Sequence, residues 1–67
     1  MTGNEERMLA ALAWMCVQYM GGDEVVDHAW MSAGEMATDI LAEHGLLEMK
    51  GREGAWTATG KAFLVSH

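Results

Sequence analysis

Residues 4–20 constrain the fold more than any other segment, because they are apolar on nearly every side. The segment contains neither glycine nor proline and is rich in alanine, leucine and methionine, so it predicts an α-helix with Asn4 as its N-cap. Between Met8 and Met20 only Gln18 is plainly polar. A helix with so little polar surface must be covered on more than one side.

Helical spacing divides this first helix into two faces. The face that we expect to be buried consists of Leu9, Leu12, Met15, Cys16 and Tyr19. Trp14 falls on the opposite strip, between the polar residues Arg7 and Gln18. We therefore expect Trp14 to remain available as an aromatic anchor for a partner.

The length of the chain limits it to one small core. It has 67 residues, of which 51% are hydrophobic and 21% charged, so residues 1–67 predict a single packed domain. Cys16 is the sole cysteine and cannot form an internal disulfide. The longest apolar run, from Met8 to Val17, is about half of the roughly 20 residues that cross a bilayer. With no secretory signal pattern, we expect a cytoplasmic protein without a membrane span.

A second helix is predicted over residues 32–45. Ser32 and Glu35 have the spacing of a capping box at its start, and Gly45 supplies the C-terminal cap. Its expected apolar stripe consists of Ala33, Met36, Ala37, Ile40, Leu41 and His44. We explain His44 by its favourable place at a helix C-terminus.

Turn residues divide the rest of the chain. Gly21-Gly22 ends the first helix, and residues 23–31 predict a short helix or a loop. Residues 46–58 predict two short strands about a glycine-containing five-residue loop, which is a β-hairpin. Residues 59–66 predict a short terminal helix capped by Thr59.

The stretch from Ser32 to Leu64 resembles the second half of winged-helix domains of the MarR and PadR kind. The segments that carry the resemblance are Gly45-Leu46-Leu47-Glu48 and Trp56-Thr57-Ala58-Thr59-Gly60-Lys61-Ala62-Phe63-Leu64. The resemblance implies an α+β fold, a small winged-helix-like domain of three or four short helices with one two-stranded β-hairpin. It also implies that the helix from Ser32 to His44 is the recognition helix and that residues 50–54 are the tip of the wing.

The charge pattern opposes nucleic-acid binding by that helix. Ten acidic residues face four basic ones, which gives a net charge of -6 and weakens attraction to phosphates and to anionic lipid. The solvent side of the 32–45 helix carries three carboxylates and no lysine or arginine, and phosphates repel carboxylates. We expect an acidic face for protein binding, which consists of Glu35, Asp39, Glu43, Asp23, Glu24 and Asp27.

Catalytic and metal-binding patterns are weak. Asp27, His28 and Ser32 are close in sequence, but they are more simply explained as a polar loop and a helix cap. Cys16 lies inside the apolar helix, where a thiol has a raised pKa and is inert. The histidines and the cysteine lack the spacings of zinc sites. We expect no enzyme activity, no cofactor and no metal.

Two functions from different classes follow. The first is a non-enzymatic acidic interaction module that occupies a basic, nucleic-acid-binding surface of another protein, with Trp14 and Trp30 as aromatic anchors. Its size and charge resemble those of phage regulators and inhibitors such as anti-CRISPR proteins.

The alternative is a dimeric winged-helix DNA-binding transcription regulator that contacts phosphates through Lys50, Arg52 and Lys61. In either case the apolar first helix favours a homodimer or a stable complex with another protein.

Overall fold

The computed structural model describes residues 2–67, apart from the side chain of Trp30. Within that range the elements are α1 (Gly3–Met20), β1 (Val25–Asp27), a 3₁₀ turn (His28–Trp30), α2 (Gly34–Glu43), β2 (Leu47–Lys50), β3 (Glu53–Trp56) and α3 (Ala58–Ser66). The three strands form one antiparallel sheet in the order β1-β3-β2. This α+β arrangement of three helices and three strands is compatible with a winged-helix-like layout.

Helix α1 is the central element and packs against α2, α3 and β1. Its N-cap is Thr2 and not Asn4, because the Thr2 hydroxyl accepts a hydrogen bond from the Glu5 amide at 3.2 Å. The buried residues of the helix are Leu9, Ala10, Ala13, Cys16 and Met20. The predicted buried face is therefore partly wrong: the small residues Ala10 and Ala13 lie inside, whereas Met15 and Tyr19 are exposed.

The prediction of a short helix or loop over residues 23–31 is wrong for residues 25–27, which form a strand of the sheet, whereas residues 28–30 form a short 3₁₀ turn. Strand β1 pairs with β3, with Val26 opposite Gly54. The indole nitrogen of Trp56 donates to the carbonyl of Gly22 at 2.8 Å and fixes the approach to the strand. After β1 the Asp27 carboxylate accepts from the Ala29 amide and caps the 3₁₀ turn.

Helix α2 begins later than predicted. Its first residue is Gly34, and no side chain caps its N-terminus, so the capping box of Ser32 and Glu35 does not form. Gly34 is buried at this point, and an added Cβ would lie 2.7 Å from His28 Cβ and from Met20 Sδ. Close packing, and not a side-chain cap, thus sets the start of α2.

The end of α2 matches the prediction. Gly45 has a φ of 73°, and its amide donates to the Ala42 carbonyl at 2.9 Å. The Leu46 amide donates to the Leu41 carbonyl at 3.0 Å. These two hydrogen bonds form a Schellman motif, and both leucines belong to the core.

Strands β2 and β3 are joined by only two residues, Gly51 and Arg52, in place of the predicted five-residue loop. Lys50 lies directly opposite Glu53. Gly51 has a φ of 65°, as expected for a tight turn whose first residue is glycine. Within residues 2–67 only glycines have a positive φ.

Helix α3 is capped by Thr57 and not by Thr59. The Thr57 hydroxyl accepts from the Gly60 amide at 2.9 Å. Leu64 points into the core, and Val65 is 89% exposed.

The core gathers apolar side chains from all three helices and the sheet: Leu9, Ala13, Cys16, Met20, Val26, Leu41, Leu46, Leu47, Trp56 and Leu64. Thr38 is buried among them, and its hydroxyl donates to the Glu35 carbonyl at 3.1 Å. None of the helices described here is long and apolar enough to cross a membrane.

Candidate protein-binding groove

Helices α1 and α2 leave an apolar groove between them, with a cavity of about 190 Å³. Four methionines line it, namely Met15, Met20, Met31 and Met36, and the other lining residues are Leu12, Cys16, Ala33, Gly34, Ala37 and Ile40. Its surface contains almost no polar atoms. We call the groove that these residues line the methionine groove.

The methionine groove continues toward the N-terminal end of α1. A neighbouring hollow of about 290 Å³ shares Leu12 and Ile40 with it and adds Met8. Glu5 and His44 also line this hollow, so the surface formed by the groove and the hollow is apolar along most of its length and becomes polar at one end. The His44 Nδ1 atom lies 2.9 Å from the Ile40 carbonyl oxygen.

The rims of the groove expose large apolar side chains to solvent. Met8, Met15 and Tyr19 on α1 are spaced by seven and four residues, which places them on one side of the helix. Met36 on α2 is 71% exposed. In the sequence, the helical spacing of Met15 and Tyr19 predicted that both are buried. Only the position of α2 in the structure shows that they are exposed.

A row of three carboxylates borders the groove on α2. Glu35, Asp39 and Glu43 are four residues apart and all exposed. Asp39 follows Met36, and Glu43 follows Ile40, by three residues, which makes them neighbours on the helix surface. Among the described residues no cation lies within 4.0 Å of these three carboxylates. We name them the acidic row.

The other three predicted acidic residues lie elsewhere and are largely engaged. Glu24 forms an ion pair with Lys61 at 3.1 Å. Asp27 pairs with Arg52 at 3.2 Å and also caps the 3₁₀ turn. Asp23 is exposed. The structure therefore separates the predicted acidic face into the acidic row and a second group near β1.

These ion pairs also involve cations that could contact nucleic acid. Arg52 and Lys61 are each within hydrogen-bonding distance of a carboxylate, and Lys50 lies opposite Glu53 across the two strands. The positive charges of Arg52 and Lys61 are locally balanced, which lowers the potential that a phosphate backbone would meet.

Trp14 lies outside the methionine groove. It is 36% exposed and lines a different hollow with residues of α3, among them Leu64 and Val65. The side chain of Trp30, the second predicted aromatic anchor, is outside the described part of the structure.

Among the residues considered for catalysis, Asp27 forms structural contacts and Cys16 is buried. Asp27 is engaged with Arg52 and the Ala29 amide, and Ser32 is an exposed turn residue. Burial raises the pKa of the Cys16 thiol to about 11, so the thiol stays protonated near neutral pH. Within residues 2–67 no three His, Cys, Asp or Glu side chains converge as metal ligands would.

One polar contact escaped the sequence analysis. His67 Nε2 lies 2.8 Å from a Glu6 carboxylate oxygen, and His67 Nδ1 lies 2.9 Å from the Phe63 carbonyl oxygen. Both ring nitrogens face acceptors, so the doubly protonated ring satisfies both contacts. The Glu6 hydrogen bond and then the Phe63 carbonyl raise the pKa of His67 above 6.5. The contact links the start of α1 to the end of α3.

In comparisons with protein-family models, with curated proteins and with solved structures, no match to this chain was found.

Proposed function

We propose that the protein is a non-enzymatic acidic interaction module that binds a basic, nucleic-acid-binding surface of another protein. The observation that carries the proposal is the acidic row, three exposed carboxylates without a cation of their own. Such a module would act as a phage-type regulator or inhibitor, in the manner of anti-CRISPR proteins.

The spacing of the acidic row suits a basic partner. Residues four apart on a helix are separated by about 6 Å along its axis, so the row extends its negative charge over about 12 Å. Arginine and lysine side chains that normally meet phosphates can meet carboxylates in the same way, with arginine binding them in bidentate fashion. Complementary charge of this kind speeds association and selects the partner.

The alternative function is a winged-helix transcription regulator that binds DNA as a dimer. The order of helices and strands is compatible with it, and by the winged-helix resemblance α2 would be the recognition helix and the β2-β3 pair the wing. Its weakness is electrostatic. In this reading α2 would bring Glu35, Asp39 and Glu43 toward the phosphates, while Arg52 and Lys61 are already paired.

Affinity capture with matched charge variants tests the leading proposal. The wild-type protein and the triple variant E35K/D39K/E43K are immobilised and exposed to host lysate, and retained proteins are quantified by mass spectrometry. We expect nucleic-acid-binding proteins with basic surfaces to be retained by the wild type, released by duplex DNA, and lost with the variant.

The control variant D23K/E48K/E53K changes the net charge by the same amount but leaves the acidic row intact. Its three positions are exposed and have no ion pair within residues 2–67. It should retain the partner. Equal loss in both triple variants, or equal retention by all three proteins, would reject the acidic row as the binding surface.

A duplex DNA titration at low salt tests the alternative. With at most three of these cations on each protomer, log affinity should fall with log salt concentration with a slope no steeper than about -3 per protomer, or about -5 for a dimer that uses both sets. Saturable nanomolar binding that is lost in K50A/R52A/K61A would establish DNA binding and displace the leading proposal.

A further inference from the structure

The methionine groove has the chemistry of a site for an α-helix. Methionine side chains are unbranched and polarisable, so Met15, Met31 and Met36 can adapt to apolar side chains of different shapes. A groove with apolar walls and exposed rims receives residues spaced at i, i+3 or i+4, and i+7 along one face of a bound helix. The floor is closed by core residues, since Met20 is only 1% exposed.

The length of the groove fits a short helix. From Met8 to Met20 the axis of α1 rises by about 18 Å, which is a little more than three helical turns. The methionine groove and its extension together border α1 over this length. A bound helix of similar length would place three or four apolar side chains in contact with the protein.

The charges beside the groove identify the occupant. The acidic row lies next to Met36 and Ile40 on α2, and Glu5 lines the far end of the extension. A helix seated in the groove would carry its flanking side chains toward these carboxylates. Lysine and arginine at the flanks of its apolar stripe are favoured there, whereas aspartate and glutamate are repelled.

A second copy of this chain is a poor occupant. Symmetric pairing of two groove faces would place the acidic rows of both copies in one interface, since a twofold interface uses the same surface from both copies. Pairing of the groove with another face could draw on only two cations that have no ion pair among the described residues, Arg7 and Lys50, because Arg52 and Lys61 are paired with Asp27 and Glu24. The charges therefore favour a separate, basic partner.

We infer that the methionine groove and the acidic row together bind a basic amphipathic α-helix of a partner protein. The inference rests on the proposed function, because it takes the partner to be basic, and adds that recognition has an apolar and helical component.

Synthetic peptides of about 16 residues, roughly four helical turns, test the inference by fluorescence polarisation. The first peptide contains only lysine and leucine, with the leucines at helical spacing. The second has the same composition with the leucines scattered out of helical period. The third keeps the leucine spacing and replaces lysine by glutamate. We expect the first peptide to bind at least about tenfold more tightly than either of the others.

The variant M15Q/M36Q tests the groove, because both side chains line it and are exposed enough to be changed without opening the core. It should weaken binding of the first peptide by about tenfold or more. Val65→Gln, an equally drastic change at a residue of α3 outside the groove, should leave binding within about twofold. Circular dichroism confirms that each variant is folded.

The outcomes separate this inference from the proposed function. If the two lysine peptides bind equally and only E35K/D39K/E43K abolishes binding, the acidic interaction stands and the groove inference is overturned. Failure of the first peptide to bind also overturns the inference, while the lysate experiment judges the proposed function independently. If sedimentation shows a wild-type dimer that M15Q/M36Q converts to a monomer, the groove is a self-association surface and the inference is wrong.

Discussion

Gly60 shows how one contact can reverse the effect of a substitution. It is a buried residue in the first turn of α3, and an added Cβ would overlap the Leu46 carbonyl oxygen and lie 3.1 Å from Trp56 Cε3. Helix propensity alone would make Gly60→Ala stabilising by up to about 1 kcal/mol. Because a backbone carbonyl cannot swing aside like a flexible side chain, we predict destabilisation by about 1–3 kcal/mol. Urea denaturation followed by circular dichroism measures this change.

Gly3→Ala is the matched control for that prediction. Gly3 is also helical, but no heavy atom lies within 4 Å of an added Cβ. The free energy of unfolding should be unchanged or slightly raised. An increase in the free energy of unfolding of both Gly60→Ala and Gly3→Ala would show that α3 is not packed against Leu46 as described.

The contact between His67 and Glu6 predicts a pH dependence. The pKa of His67 is higher in the folded protein than its ordinary value of 6.5, chiefly because the Glu6 carboxylate accepts its hydrogen bond. A raised folded pKa means that folding favours the protonated ring. The stabilisation is therefore fully present below pH 6.5 and is lost as the pH rises through the folded pKa of His67.

Glu6→Gln tests this contact by NMR titration of the His67 ring. We expect the pKa of His67 to fall toward 6.5 and the pH dependence of unfolding to become shallower. Glu5→Gln removes a carboxylate one position away that does not contact His67, and it should leave most of the shift in place. A His67 pKa that is the same in both variants as in the wild type would contradict the assigned hydrogen bond.

At the scale of elements, Thr57 joins three parts of the fold. Its hydroxyl accepts from the Gly60 amide at 2.9 Å and donates to the Gly45 carbonyl at 2.6 Å, which connects the start of α3 to the end of α2. Its amide donates to the Leu46 carbonyl at 3.0 Å. We predict that Thr57→Ala lowers the free energy of unfolding by about 1–2 kcal/mol, because both side-chain hydrogen bonds are lost.

Two further variants make this prediction specific. Thr57→Ser keeps the hydroxyl and should recover most of the lost stability in urea denaturation. Thr59→Ala alters the residue that the sequence pattern selects as the cap, but Thr59 is exposed and forms no capping bond, so the change should be within about 0.5 kcal/mol. A larger loss of stability in Thr59→Ala than in Thr57→Ala would show that Thr57 is not the N-cap of α3.

Elements fixed by local chemistry were predictable, and those fixed by distant partners were not. The helix predicted over residues 4–20 and the Gly45 cap are set by neighbours in sequence, and both agree with the structure, although the N-cap of α1 is Thr2 in place of Asn4. Strand β1 has only three residues, and its partner β3 lies more than twenty-five residues away. The start of α2 likewise depends on the contact of Gly34 with His28 and Met20, which no local pattern reveals.

The candidate site divides in the same way. The acidic row follows from four-residue spacing on a helix whose polar side is clear from sequence. The seven methionines suggest either an adaptable peptide-binding groove or a filled core, but the position of the groove could not be predicted, because the exposure of Met15 and Tyr19 depends on where α2 crosses α1. Ion pairs such as Lys61 with Glu24 also join residues that are far apart in sequence.

At the scale of the whole molecule, charge is distributed unevenly between two regions. Near the sheet, carboxylates and cations meet in pairs, as in Asp27 with Arg52. On α2 three carboxylates stand four residues apart, and like charges at this spacing destabilise a helix by about 0.2–0.5 kcal/mol per pair. Binding surfaces commonly retain groups that reduce stability, so this cost is consistent with a role in recognition.

Asp39→Lys should therefore stabilise the protein while weakening its binding to a basic partner. The substitution turns two repulsive pairs on α2 into attractive ones and changes the net charge from -6 to -4, so we predict a gain of about 1 kcal/mol at low salt. Because exposed charges are screened, the gain should shrink in high salt. Glu48→Lys makes the same net charge change on β2, opposite the uncharged Ala55, and should give a smaller gain. Urea denaturation at two salt concentrations, with polarisation titrations of the basic peptide, measures both effects. A stabilised variant with undiminished peptide affinity would show that the repulsion on α2 serves some purpose other than binding.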